Sequence, residues 1–207
     1  MQRIAIKEWA LVCEALGWGE QTVLLRKGGI AEGRGGFAFR HSEFFLFPTF
    51  FHEQVVKVRT PDVEIPDVAN GQIRIRFWAQ VEAQKEIGSW PDAAALEPFH
   101  ILQESVVRER FDYKGAGLHV ALVRIFGLEP TWVLADKPAY GGCRSWVKLP
   151  ECPAETRFEA VLGDEEQARI AQRFRAIIRY WSRHALVPEG GSERYPQRPE
   201  VRPSPRS

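Results

Sequence analysis

Arg26-Lys27-Gly28-Gly29 sets two cations beside backbone N–H groups that glycine leaves uncovered. That combination suits a phosphate or a carboxylate. It has neither the spacing of a P-loop nor that of a dinucleotide fingerprint, so it points to anion binding without naming the anion. The plain alternative is a strand end followed by a tight turn with solvated cations. A second glycine turn with an arginine beside it, Tyr140-Gly141-Gly142-Cys143-Arg144, repeats the pattern. Between the two, His41 and Glu43 are spaced to share one face of a strand, and His52 and Glu53 follow once Pro48 redirects the chain. An imidazole with a carboxylate can ligate a divalent metal or work as acid and base. His41, Glu43 and His52 are therefore the candidate catalytic set, with or without a divalent metal. Arg26, Lys27, Gly28, Gly29, Thr49 and Arg144 are the candidate ligand-binding set.

Other chemistries fit the spacing less well. A restriction-type nuclease would need the carboxylate and lysine near Pro61-Asp62 and Glu82-Ala83-Gln84-Lys85 on one strand face, two residues apart. Glu82 and Lys85 are three apart, which puts them on opposite faces. Ser145 and Cys143 lack a nucleophile elbow, although Arg144 and the glycines would favour a thiolate at Cys143. Arg175, Arg179 and Arg183 recur every four residues near the C-terminus, and Arg194, Arg198, Arg202 and Arg206 follow. Glu189, Glu193 and Glu200 are interspersed, so this reads as a solvated face and tail.

The elements that must position these groups follow from periodicity. Residues 4–16 are apolar on nearly every side and are read as a strand, turning at Gly17-Trp18-Gly19-Glu20 into a second strand at 22–25. That strand and a returning one at 37–47 form the hairpin that carries the glycine loop, with Pro48 ending the second strand or marking an edge. Residues 61–71 read as an extended connection. Residues 72–81 alternate Ile73, Ile75 and Phe77 against Arg74, Arg76 and Trp78, the pattern of a strand with one wetter face. Residues 96–111 are read as a helix starting near Pro98, with Phe99, Ile101, Leu102 and Val106 inward. Residues 118–126 form a buried strand, with 132–134 as a short companion. A helix from Asp164 to His184 places Ile170, Phe174, Ile177, Ile178 and Trp181 on one face, with acids at its start and Arg179, Arg183 and His184 at its end to match the macrodipole.

The chain has 207 residues, 44% of them hydrophobic and 12% aromatic, enough for one substantial core. With 28 basic and 27 acidic residues, bulk charge gives no reason to expect nucleic acid or an acidic membrane surface, so such a contact would need a local patch. Three widely spaced cysteines suit neither a disulfide framework nor a four-ligand zinc site and read as buried thiols of a cytoplasmic protein. No signal peptide is visible and no apolar run reaches the ~18 residues that cross a bilayer, so no membrane partner is expected. The last 20 residues, from Pro188, contain five prolines and two sizeable apolar side chains and read as a disordered Pro/Arg-rich tail after a domain of residues 1–187.

With these segments in view, the chain resembles the uncharacterised bacterial family called domain of unknown function 1802. The resemblance rests on Lys7-Glu8-Trp9-Ala10, Leu24-Leu25-Arg26-Lys27-Gly28-Gly29-Ile30, His41 to Glu43 continuing into Leu46-Phe47-Pro48-Thr49 and His52, Arg110-Phe111, and Tyr140 to Val147. It covers roughly residues 4–150. The family has no assigned activity, and the fusion of some members to restriction-endonuclease-like domains implies a link to nucleic-acid defence. The order of elements is also similar to that of Nudix hydrolases, but the glycine-led helix with paired glutamates that holds their Mg²⁺ is missing.

The resulting expectation is a single α+β domain with a mixed or antiparallel sheet, packing helices and a C-terminal amphipathic helix. Functionally, it is a binding or accessory module for a phosphate-bearing ligand, a nucleotide or nucleic acid. The alternative is a hydrolase built on His41, Glu43 and His52. A purely structural partner protein would show a large apolar surface patch.

Overall fold

The computed structural model describes residues 3–27, 37–59 and 71–184. Gly28 and Gly29 with the rest of the glycine loop, the connection at 61–70, and the tail lie outside the described residues.

The two longest strands are the ones with the plainest alternation. β4 (Gln72–Ile87) and β5 (Leu118–Ala135) pair antiparallel from Ile87 opposite Leu118 to Gln72 opposite Ala135. The companion strand expected at 132–134 is the far end of β5 itself. A register shift between Ile75 and Phe77 turns the faces over: Ile73 and Ile75 enter one apolar cluster, Phe77 and Ala79 the other. Two steps of β4 there stand against five of β5, and with side chains alternating at a period of two an odd slip is enough to do this. Phe77 therefore leaves the face on which the sequence placed it with Ile73 and Ile75, and Trp78 packs there instead.

Among the described residues, seven strands form one mixed sheet in the order β2 (Val23–Arg26), β5, β4, β3 (Glu43–Thr49), β1 (Ile4–Trp9), β6 (Trp146–Lys148), with β7 (Arg157–Ala160) on β5. β1 and β3 run parallel, and β6 lies antiparallel to β1. With its helices, this is the expected single α+β domain.

Several local expectations change. Residues 10–17 form helix α1 (Ala10–Gly17), not the continuation of a strand. Ala10, Leu11, Val12, Cys13, Ala15 and Leu16 are all buried, so the helix has almost no polar face and its period is invisible in the sequence. Its entrance is held from outside, where the wholly buried Gln54 accepts the Leu11 N–H at 3.1 Å. Because α1 intervenes, β2 (Val23–Arg26) does not return beside β1 but pairs with β5. β2 and β3 are likewise not a hairpin, since β5 and β4 lie between them. Pro48 stays inside β3, opposite Glu8, beyond Phe45 where pairing to β4 ends. The strand there is paired on the β1 side only, where a missing N–H is tolerated.

The helix expected at 96–111 is broken into a short 3-10 turn (Glu97–Phe99), a bridge between Leu102 and Val58, and α3 (Glu104–Asp112). Competing partners break it: Gln21 accepts the Ile101 N–H, and the Gln103 N–H goes to Lys57 O. Phe99, Ile101, Leu102 and Val106 are nonetheless buried. α2 (Trp90–Ala94) packs beside α3. α4 (Asp164–His184) has the expected bounds, with Phe174 fully buried and Ile170, Ile177 and Ile178 against the core. Among the described residues, no helix is long and apolar enough to cross a membrane.

The sheet is curled. β2 and β1 are four places apart in its order, about 19 Å in a flat sheet at ~4.8 Å per strand. Yet the Arg26 guanidinium, on β2, reaches Lys7 O on β1 at 3.1 Å and Ser145 Oγ, just before β6, at 2.7 Å. One side chain therefore spans the opening between the two ends of the sheet. The larger apolar cluster joins the sheet to the helices, and the smaller, built on Phe45, Ile75, Trp132 and Tyr140, lines its other face.

Candidate functional site

Glu8 lies on the buried face of the first strand and is 1% exposed. A carboxylate so buried is costly unless it is paired. Here Oε2 receives Arg26 Nη1 at 3.1 Å, Oε1 receives the Trp9 N–H at 2.9 Å, and Arg110 Nη2 lies 3.8 Å from Oε1. Arg110 also donates to Leu25 O at 2.8 Å and stacks 4.5 Å above the Trp9 ring. Arg26 faces the Phe37 ring at 5.5 Å. Burial pulls the Arg110 pKa below its usual range, with Glu8 opposing and Arg26 adding to the shift. One carboxylate thus holds two guanidiniums, and the surplus charge is positive.

On the rim, Lys7 Nζ donates to Gly142 O at 2.9 Å. The Lys7 pKa is lowered, first by partial burial and then by repulsion from Arg144. Arg144 and Cys143 are exposed, whereas Ser145 is buried under Arg26; of the three cysteines expected to be buried only Cys13 is, because Cys143 lies in the exposed glycine turn and Cys152 is half-buried. Thr49 Oγ1 donates to Glu8 O at 2.9 Å, so this hydroxyl secures β1. Lys27 turns away from the cluster and places its ammonium on Phe111 O, Gly115 O and Gly117 O at 3.3, 2.6 and 2.6 Å, closing the C-terminal end of α3.

The acid–base set is divided. His41 sits before β3, its ring edge-on to Trp146 at 4.9 Å, and Glu43 begins the strand. His52 opens a 3-10 turn (His52–Lys57) beyond the strand's other end. The six residue steps of β3 hold the two ends roughly 20 Å apart, so His41 and Glu43 do not share a centre with His52. Among the described residues, no three His, Cys, Asp or Glu side chains are grouped to hold a metal ion. Glu82 and Lys85 also go to separate partners: Gln167 Nε2 donates to Glu82 at 2.9 Å, and Lys85 Nζ donates to Ile178 O at 3.4 Å.

The structure therefore brings Arg26 to the Ser145 segment, and Arg144 to Lys7, but sends Lys27 to α3 and His52 to the far end of β3. The sequence reading did not include Lys7, Glu8, Arg110 or Ser145 in its candidate set. Glu8 had a usable signal, an acid at an inward position of a strand, where only a paired carboxylate is tolerable. Arg110 stood out only within the Arg110-Phe111 motif of the resemblance; nothing local links it to Glu8, 102 positions away in the chain.

Fold and site together define a single α+β domain whose curled mixed sheet is closed by a buried, net-cationic cluster. The chain belongs to the family described as Domain of unknown function (DUF1802), whose model matches residues 5–173. The segments that carry that likeness meet in space: Lys7-Glu8-Trp9, Arg26-Lys27, Thr49, Arg110-Phe111 and Gly142 to Ser145 contact one another directly. Among solved structures, ASCH from Zymomonas mobilis is similar with a TM-score of 0.40 and 15% identity, over 82% of this chain and 93% of that one. A serine-to-alanine mutant of the same protein gives 0.42 and 14%, over 82% and 94%. No curated protein matches the chain.

Proposed function

We propose that the protein is a binding module for a phosphate-bearing ligand, a nucleotide or nucleic acid, that docks on the rim formed by Lys7 and Arg144. The observation that carries this reading is the rim pair: Lys7 and Arg144 lie close enough for Arg144 to add to the lowering of the Lys7 pKa, with Asp136 opposing, while Arg26 and Arg110 share the Glu8 carboxylate on the other face of β1. Two like charges held close enough to depress a lysine pKa are stabilised by an anion between them. Lys7 and Arg144 are the ligand-bearing pair, Arg26 and Arg110 the internal support. The hydrolase alternative has no such support, because its three residues lie at two ends of one strand.

The test uses Lys7→Ala and Arg144→Ala with nucleotides and short single-stranded oligonucleotides at low salt. Each variant weakens binding, and the double variant removes most of it, with thermal unfolding close to that of the parent protein. Unchanged affinity in the double variant sinks the reading. Arg26→Ala is a poor probe, because it also opens the sheet closure.

A further inference from the structure

We propose that Tyr140, on the Lys7–Arg144 rim, helps to seat a phosphate monoester, the terminal phosphate of a nucleotide or of a strand end, in preference to a diester. The assignment rests on the phosphate-ligand reading above and specifies its phosphate. Tyr140 shares a face of the sheet with Lys7. Phe47 stands opposite Lys7 in the register of β1 with β3, and the Tyr140 ring packs edge-on against Phe47 at 5.5 Å. Tyr140 is 8% exposed. A tyrosine so buried normally pairs its O–H, but this hydroxyl makes no hydrogen bond among the described residues. Nor is it sealed in the core. It opens to the surface as an uncommitted donor.

The chain that follows Tyr140 adds further donors. The 3-10 turn Pro138–Tyr140 is closed by the Gly141 N–H on Pro138 O at 3.0 Å, and the chain then passes through Gly142 at φ +79°, a conformation that glycine adopts without strain. Gly142 O takes Lys7 Nζ at 2.9 Å, so turn and strand are fixed to each other. The exposed N–H groups of Gly142 and Arg144 have no acceptor among the described residues. The Cys143 N–H, in the same trans peptide as Gly142 O, points away from Lys7. The exposed Arg144 guanidinium has no partner among the described residues. The Lys7 ammonium, with one N–H on Gly142 O, has two more to give.

Lysine, arginine and backbone N–H groups only donate hydrogen bonds. The rim therefore calls for an anion rich in acceptors. A phosphate monoester carries a charge of about −1.5 to −2 at pH 7 and three strong acceptor oxygens; a diester carries one charge and two such oxygens. Two cations with a hydroxyl match the monoester. Asp136 is the carboxylate that already acts on Lys7, and a dianion competes with it better than a monoanion does.

The experiment compares AMP and UMP with their 3′,5′-cyclic diesters, and one short single-stranded oligonucleotide with and without a 5′-phosphate, by calorimetry at low salt. The monoesters should bind about tenfold or more tightly than the cyclic diesters, and the phosphorylated oligonucleotide more tightly than the unphosphorylated one. Tyr140→Phe keeps the ring on Phe47 and removes only the hydroxyl. It should weaken monoester binding about tenfold and narrow the preference, with Tm unchanged. Mononucleotides that bind as tightly as the phosphorylated oligonucleotide identify a free nucleotide as ligand, and tighter binding of that oligonucleotide identifies a strand end; either supports the assignment. Equal binding of monoesters and diesters in both series overturns the monoester assignment alone. A preference that Tyr140→Phe leaves whole overturns the role of Tyr140. No binding of any of these phosphates overturns the assignment together with the reading on which it rests.

Discussion

His100 makes acid stability measurable at one residue. It is 4% exposed, and its Nδ1 accepts the Leu102 N–H at 3.2 Å. A proton on Nδ1 would destroy that bond, and burial, with Arg59 and Arg110 nearby, lowers its pKa from 6.5 to about 3. The unfolded chain therefore binds a proton between pH 6.5 and about 3 that the folded chain refuses. Stability in this window falls as pH falls, because the unfolded state holds more protons there. The group contributes nothing to this dependence above pH 6.5. With 1.36 kcal/mol per pH unit, the loss at pH 5 is about 2 kcal/mol, and about 5 kcal/mol once pH reaches 3. His100→Asn keeps an acceptor for the Leu102 N–H and removes the titration. Urea unfolding at pH 7 and pH 5 should show the pH 7 to 5 loss about 2 kcal/mol smaller in the variant. Equal losses in both proteins, or a His100 resonance titrating near pH 6.5, would refute the reasoning.

Other consequences concern closure and packing. Glu8→Gln leaves two half-buried guanidiniums facing each other without their buried carboxylate, and should cost about 3 kcal/mol in denaturant unfolding; a loss below about 1 kcal/mol contradicts the closure role. Gly17→Ala would put a Cβ 2.0 Å from Phe77 Cζ in the core. It should cost about 1–3 kcal/mol, read as a lowered Tm. Lys27→Met keeps the stem but releases three carbonyls at the end of α3. It should cost about 1–3 kcal/mol and speed hydrogen exchange in residues 110–117, whereas lost ligand affinity at unchanged stability would return Lys27 to the binding set.

The elements legible in the sequence are those with one wet face. α4 shows its period because Phe174 and Ala171 are buried while Arg169, Arg173 and Arg175 face solvent. α1 does not, because buried residues surround its axis, and a short apolar run reads equally as strand or helix. The register shift after Ile75 and the competing partners of Ile101 and Gln103 are tertiary events with no local signature. The same holds for the site. Arg26 and Arg144 stand out by residue type and glycine context, but only the curl of the sheet determines that Arg26 meets Glu8 and Ser145 rather than solvent. Lys27, the residue after β2, points the other way because neighbours in an extended chain face opposite sides.

The most direct test of the central claim is the salt dependence of oligonucleotide binding by the parent protein and by the Lys7→Ala, Arg144→Ala double variant. If these two side chains carry the phosphates, log K against log salt should be linear, with a slope about 1.4 units shallower in the variant for a single strand, ~0.7 for each lost contact. Identical slopes, or binding by the parent protein that ignores salt, would contradict the account.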